Sequence, residues 1–213
     1  MKGVKFGNYH SYYEWGLILS SKEIESPEPK TNEIEIEGGD GVLDLTEFFG
    51  GVKYKNRSLS FQFTKPSIVP DGYLALFSLV QEKLHGKKMQ VILDDDPAHF
   101  YYGRVTVSEW KSSKNIGTVE IDVDAEPFKT EVAETTIRQT VNSNANIILP
   151  NGKKPVVPTI TTTSEFLISF GGYNDVYEAG TFTIPEMELA EGNNQVYVEG
   201  TGTITFSYQK GWL

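Results

Sequence analysis

Leu59-Ser60-Phe61-Gln62-Phe63 alternates large apolar and polar side chains without a break. A period of two puts the apolar set on one face of an extended strand and the polar set on the other. Val119, Ile121 and Val123 repeat the pattern, as does Glu33-Ile34-Glu35-Ile36-Glu37, so each stretch predicts a strand with one dry and one wet face. After the last of them comes Gly38-Gly39-Asp40-Gly41, a tight turn, because glycine tolerates the positive φ that turns often require. A phosphate loop would need a lysine and then Ser or Thr after its glycines, and neither is present.

Only one segment leaves the period of two. From Asp71 to His85, apolar residues at Tyr73, Leu76, Phe77, Val80 and Leu84 recur at spacings of three and four, which predicts a helix capped by Asp71 and ended by Gly86. Its wet side carries Ser78, Gln81 and Lys83, so it is expected to lie across a sheet as a lid on the core and to be the only substantial helix. Met89 to Leu93 and Phe100 to Val105 predict further strands, joined by a turn at Asp94-Asp95-Asp96-Pro97. Twenty Gly, ten Pro, eleven Tyr and twelve Phe among 213 residues fit the same mainly β class.

A boundary is expected near residue 130. The strand from Gly117 to Val123 ends in Ala125-Glu126-Pro127-Phe128-Lys129, after which Thr, Asn and Gln dominate from Thr135 to Asn146, a crossing segment by composition. Beyond it lie Ile147-Ile148-Leu149, Thr159 to Thr163, Phe166-Leu167-Ile168, Thr181 to Ile184, Gln195 to Val198 and Thr203 to Tyr208. These are short strands between Gly, Asn and Pro turns, the spacing of a small β-sandwich. The expected division is therefore 1–130 and 131–213.

Charge narrows the function. Nineteen Lys and Arg against twenty-nine Asp and Glu give a net charge of -10, with no basic run longer than Lys87-Lys88, which disfavours binding to nucleic acid through phosphates. Residues 131–213 hold four basic against nine acidic side chains and residues 1–130 hold fifteen against twenty, so neither part is a basic arm or an acidic tail. The absence of cysteine removes disulfides, thiol nucleophiles and thiolate metal sites. Met1 to Asn8 does not open into the apolar stretch of a signal peptide, and no segment approaches a membrane span, so the chain is expected to be soluble and made in the cytoplasm.

Few residues carry the marks of chemistry. His10, His85 and His99 stand far apart and none has close metal-ligand spacing; His85 falls in the last helical turn, where an imidazole is favourable against the carbonyls. Asp94, Asp95 and Asp96 are the strongest apparent cation site, but without the twelve-residue calcium loop they read better as a solvated turn. No GxSxG elbow surrounds a serine, and no carboxylate pair is framed as acid and base, so no catalytic residue, cofactor site or metal site is assigned. Tyr9, Tyr12, Tyr13 and Trp15 form a dense aromatic group, readable as stacking surface for sugars, as anchors for another subunit, or as the alternating core of an amino-terminal strand. Lys53, Lys55 and Arg57 alternate with Val52, Tyr54 and Asn56, which on one strand gives a positive stripe that meets an acidic partner surface or is simply solvated.

Several patterns, in order, resemble the distal tail proteins of long-tailed, non-contractile bacteriophages and related prophages. Phe6-Gly7-Asn8 followed by Tyr13-Glu14-Trp15-Gly16-Leu17 looks like that family's opening strand. Ser26-Pro27-Glu28-Pro29-Lys30 and then Ile34 to Leu45, with Gly38-Gly39-Asp40-Gly41 at its centre, are similar to its proline turn, strand and glycine-aspartate-glycine turn. Tyr54 to Phe63, Tyr102-Gly103-Arg104-Val105, Ala125 to Lys129 and the closing Gly202 to Leu213 fit its later strands. The resemblance spans nearly the whole chain and is more specific in its order than in any one motif.

What the resemblance implies is assembly. The first domain would be β-sandwich-like with one α-helix and would form a hub ring, usually of six subunits; the second would be a small galectin-like β-sandwich. The ring would join the tail tube protein to a tail-associated spike or baseplate protein in the virion tail, assembled in the bacterial host cytoplasm, with neither nucleic acid nor membrane insertion involved. About eighty residues leave little room in the second domain for the inserted arms or sugar-binding modules of longer relatives. The resemblance and the positive stripe together place Gly38, Gly39, Asp40, Gly41, Lys53, Lys55 and Arg57 near the ring interface. The rival expectation is a carbohydrate-binding β-sandwich module, which the acidic composition and tyrosines also suit.

Overall fold

The alternation around Phe61 becomes a ten-residue strand, one of nineteen strands and two helices among the described residues. The computed structural model describes residues 2–48, 50–66, 70–113 and 116–213, and the protein is mainly β, as its alternating stretches predict. Its chain divides into two units, Met1–Pro127 and Phe128–Leu213.

The first unit runs β1 (Val4–Phe6), β2 (Tyr9–His10), α1 (Ser11–Trp15), β3 (Ile18–Ile24), β4 (Glu33–Glu35), β5 (Val42–Asp44) and β6 (Arg57–Pro66). Then come α2 (Pro70–Leu84), β7 (Lys88–Leu93), β8 (Asp96–Ser113) and β9 (Ile116–Ala125). Seven of these strands form one antiparallel sheet in the order β2-β1-β7-β8-β9-β6-β3. Phe6 of β1 meets Phe61 and Phe63 of β6 edge-on, at 5.9 and 6.2 Å between ring centroids. Four strand spacings separate β1 from β6 in the sheet, roughly 19 Å if it were flat. The sheet therefore curls until its inner face packs on itself, which makes a sandwich-like core from one sheet. Register shifts at Leu19/Ser21, Val91/Leu93 and Val107/Glu109 supply extra residues that bend and twist the strands this way. Gly103 lets β8 and β9 approach closely, since a Cβ there would stand 2.5 Å from the Asp124 carbonyl oxygen.

Helix α2 covers this core as its spacing predicts. Val80 and Leu84 are fully buried, and the Phe77 and Tyr73 rings lie 5.2 and 6.3 Å from that of Trp110 on β8. Gly86 donates its N–H to Val105 just past the helix end, and His85 accepts the Val107 N–H through Nδ1, so its ring serves the neighbouring strand. The side chain of Asp71, expected as the cap, lies outside the described residues. The aromatic group near the amino terminus differs from a strand: Ser11–Trp15 is a single helical turn, with His10 Nδ1 accepting the N–H groups of Tyr12 and Tyr13. Trp15 is buried and stacks on Tyr9 at 5.7 Å, while Tyr13 is exposed. Asp94 to Asp96 sit at the turn from β7 to β8, and each carboxylate finds its own partner. Asp94 accepts from Gly3 N–H and contacts His10 Nε2, Asp95 accepts from Lys22, and Asp96 Oδ1 lies 2.6 Å from His99 Nδ1. The Lys22 ammonium holds the Asp95 carboxyl below its ordinary range.

The second unit runs β10 (Lys129–Glu131), β11 (Thr135–Val141), β12 (Asn144–Asn151), β13 (Thr159–Thr162), β14 (Phe166–Phe170) and β15 (Tyr173–Tyr177). It continues with β16 (Gly180–Thr183), β17 (Gly192–Gly200), β18 (Gly202–Tyr208) and β19 (Gly211–Trp212). Two four-stranded sheets, β11-β18-β13-β16 and β12-β17-β14-β15, enclose Ile147, Leu149, Ile160, Phe166, Ile168, Val196, Val198, Ile204 and Phe206. The polar stretch from Thr135 is not a crossing segment: seven residue pairs join β11 to β18. It reads as a connection because it is a sheet edge, where only Ile137 and Val141 turn inward and Thr, Arg and Gln meet water. Buried Asn194 secures the start of β17, with its amide nitrogen 2.8 Å from the Ala190 oxygen and its Oδ1 accepting the Ala190 N–H. Tyr208 donates to the Pro150 carbonyl at 2.8 Å, and burial pushes its hydroxyl up to about 12.

Candidate assembly surface

Between β3 and β6 the chain makes an excursion whose two strands form a separate sheet among the described residues. Its base is closed by the bridge between Pro29 and Tyr54 and by the hydrogen bonds Lys30 N–H to Lys53 oxygen and Lys55 N–H to Glu28 oxygen, at 2.7 and 2.8 Å. Beyond that base β4 and β5 pair, among the described residues, only with each other, and every residue from Thr31 to Asp44 is exposed. The expected dry face of Glu33 to Glu37 is therefore wet: Ile34 and Ile36 are 47% and 56% exposed, with Val42, Leu43 and Phe48 exposed beside them. A two-stranded ribbon with no layer packed on it cannot dry either face, whatever its side-chain alternation.

Gly38-Gly39-Asp40-Gly41 forms the tip of this arm, as predicted. Gly38 and Gly41 have φ of +81° and +79°, and no atom lies within 4 Å of a Cβ built on either. Nearer the body, the Asp44 carboxylate accepts the Thr46 N–H at 2.8 Å, the Thr46 hydroxyl accepts the Asn32 N–H at 3.0 Å, and Leu45 N–H bonds to the Asn32 oxygen. Hydrogen bonds from Thr46 lower the Asp44 carboxyl below its ordinary value. From Glu33 to Glu47 the arm carries six carboxylates and no lysine or arginine.

The basic residues do not form one stripe. Lys53 and Lys55 flank the bridge at the base of the arm and are exposed, Lys55 paired with Glu28 at 3.0 Å. Strand β6 begins only at Arg57, whose side chain falls on the same face as Leu59 and Phe61 and is 7% exposed. The expected common orientation fails because the chain is irregular between Tyr54 and Arg57, where the Asn56 amide is held by Asp124 at 3.0 Å. The Arg57 guanidinium lies 5.6 Å from the Tyr101 ring centroid, and its Nε–H has no acceptor among the described residues. Burial pushes its pKa down, though a guanidinium starts so high that it stays charged. It lines a cavity of about 700 Å³ whose rim includes Glu25, Glu28, Asp122 and Asp124. Thus Gly38 to Gly41 lie at the tip of the arm, Lys53 and Lys55 at its base, and Arg57 against the core. The exposed apolar residues of the arm were not singled out beforehand; the signal for them is apolar residues on both ribbon strands flanked by Glu and Asp, with no third strand to pair.

No protein-family model matches this chain, and no curated protein matches it in sequence. Its fold is nonetheless similar, end to end, to the crystal structure of the Dit (gp 19.1) protein of SPP1. That protein is described as a paradigm of the hub adsorption apparatus in phages that infect Gram-positive bacteria. The likeness has a TM-score of 0.72 at 14% identity and covers 98% of this chain and 99% of the other.

Proposed function

We propose that this protein is a distal tail hub subunit of a long-tailed, non-contractile phage or a related prophage. It closes into a ring, usually of six copies, that joins the tail tube to the tail tip or baseplate in the virion tail, after assembly in the host cytoplasm. The observation that carries this reading is the fold likeness to the SPP1 hub protein over essentially the whole of both chains. Residues 1–130 form the ring, and residues 131–213 form a galectin-like sandwich. The role is structural, without catalysis.

Ring closure needs a heterologous contact, in which one patch meets a different patch on the next copy. The β4–β5 arm fits such a contact through its exposed Ile34, Ile36, Val42 and Leu43, and burial of side chains of this size stabilises by about 1.5–3 kcal/mol each. Its carboxylates suit a basic patch, and exposed Lys53 and Lys55 at the arm base of the neighbour supply one. Gly38 to Gly41 take part by turning the arm, while Arg57 acts from behind the surface and not on it.

Native mass spectrometry over a concentration series tests the ring. Six subunits of 23.8 kDa give about 143 kDa, and a persistent monomer at every concentration, with and without tail extract, counts against the hub. Lys53→Glu with Lys55→Glu should lower the ring fraction without changing the melting temperature. An unchanged ring fraction removes these lysines from the interface while leaving the ring itself standing.

A further inference from the structure

The second unit carries a feature that ring assembly does not use. On the outer face of the β12-β17-β14-β15 sheet, the register sets Asn146 beside Tyr197, Tyr197 beside Ser169 and Ser169 beside Asn174. These four side chains form one row across all four strands, over three strand spacings or roughly 14 Å. The row faces outward because its strand neighbours Ile147, Val196, Val198 and Ile168 are buried. Gln195 stands on the same face one row away, opposite Ile148. Together they line a shallow groove of about 450 Å³ that ends at Gly171-Gly172, and none of its lining residues is charged.

The opposite sheet shows what a merely solvated face looks like in this unit. Its outward row is Arg138, Thr205, Thr161 and Thr181, short hydroxyls beside a charge, and the Thr161 and Thr181 hydroxyls bond to each other at 2.9 Å. By contrast, the side chains of Asn146 and Gln195 make no hydrogen bond within the described residues. The Asn174 Oδ1 accepts from Ser169 at 2.6 Å, which leaves the Asn174 amide nitrogen as a donor without a partner among the described residues, on a side chain that lines the groove. A partly exposed tyrosine ring between neutral amides offers an apolar edge or face together with paired donors and acceptors.

We propose that this row is a binding site for a neutral oligosaccharide. The Tyr197 ring stacks on the C–H face of one pyranose, and Asn146, Gln195 and Asn174 bond the vicinal hydroxyls of that sugar and its neighbours. Charge decides the class. A neutral lining suits a ligand without ions, and Glu199, on the same face two residues from Tyr197, together with the net charge of -10, repels acidic sugars and nucleic acid. The proposal does not rest on the ring, because every residue named belongs to the second unit.

The test is saturation-transfer NMR on the full chain, titrated with cellotriose, maltotriose and chitotriose and, for comparison, with trigalacturonic acid. A saturable signal from at least one neutral trisaccharide is expected, with trigalacturonic acid much weaker. Tyr197→Ala should weaken binding about tenfold, while Thr161→Ala on the opposite sheet should leave it unchanged. Asn146→Ala, at an exposed position, serves as a second variant that cannot disturb the core, and thermal melting verifies folding in each case. No saturable signal from any of the three neutral sugars, equal binding by Tyr197→Ala, or equal binding of the acidic sugar would overturn the proposal. The native mass of Tyr197→Ala should equal that of the parent, so failure here and failure of the ring are told apart.

Discussion

Glu33 to Glu37 and Leu59 to Phe63 share one sequence pattern and meet opposite fates. On β6, Leu59, Phe61 and Phe63 are fully buried between β3 and β9 and against Phe6. On β4, Ile34 alternates just as strictly, yet it pairs with a single exposed strand and stays about half exposed. Alternation sets which side chains share a face, and the number of layers around the strand sets whether that face is dry. The difference also has a direction. An apolar face that its own unit leaves wet, on an arm with closed hydrogen bonding at its base, is where a second protein surface gains most by docking.

The sharpest way to break this comparison is to truncate one apolar residue on each strand. Phe61→Ala should destabilise the first unit by about 3–5 kcal/mol, because it empties a space between Phe6 and Phe63 that cannot collapse easily. Ile34→Ala should change subunit stability by less than about 0.5 kcal/mol and yet lower the ring fraction. Thermal melting and native mass on the same samples read both numbers. A large melting shift for Ile34→Ala would mean that the arm is part of the subunit core, and the contrast between the two strands would fail.

Arg57 stands where the wet arm returns to the dry strand, and it sharpens the comparison at that junction. A buried guanidinium whose Nε–H is unmet, with Tyr101 as its neighbour, loses more by desolvation than that neighbour returns, and so costs stability relative to an apolar side chain of the same length. Arg57→Met should leave the isolated subunit equally stable or more stable by about 1–3 kcal/mol, whereas Arg57→Glu should destabilise it by a similar amount or more. Chemical denaturation measures both. Should Arg57→Met destabilise the subunit, the guanidinium's contact with Tyr101 outweighs the cost of its burial, and it belongs to the structure of the unit.

How much of this was legible beforehand follows the same division. The core strands, the helix from Pro70 to Leu84 and the turn at Gly38 to Gly41 could be read, because periodicity and glycine act locally. Three features could not. Thr135 to Val141 hides as a linker because an edge strand needs few apolar residues. Ser11 to Trp15 hides as a strand because a five-residue helical turn is too short to display its period, and its start depends on the His10 ring as a cap. The inward turn of Arg57 was illegible because it depends on where β6 begins, which the distant Asn56–Asp124 bond and the Pro29–Tyr54 bridge determine. Of the arm, the turn at its tip was readable from its glycines, and the exposed apolar face was not.

The smallest expected effect is a titration confined to the arm. Hydrogen bonds from the Thr46 hydroxyl and N–H favour ionised Asp44, so its folded-state pKa lies below the unfolded value near 3.8. A depressed carboxyl pKa contributes stability that is present above the unfolded value and lost as pH falls through the folded one. As pH falls below that unfolded value and through the lowered folded one, therefore, the closure of the arm at Asn32 and Thr46 should loosen while the Phe61 strand keeps its packing. Amide NMR reads the two separately: the Thr46 signal should shift with an acid midpoint that Asp44→Asn abolishes, and the Phe61 signal should not follow it. If both signals moved together, the arm and the core would be one cooperative unit, and exposure alone would not separate them.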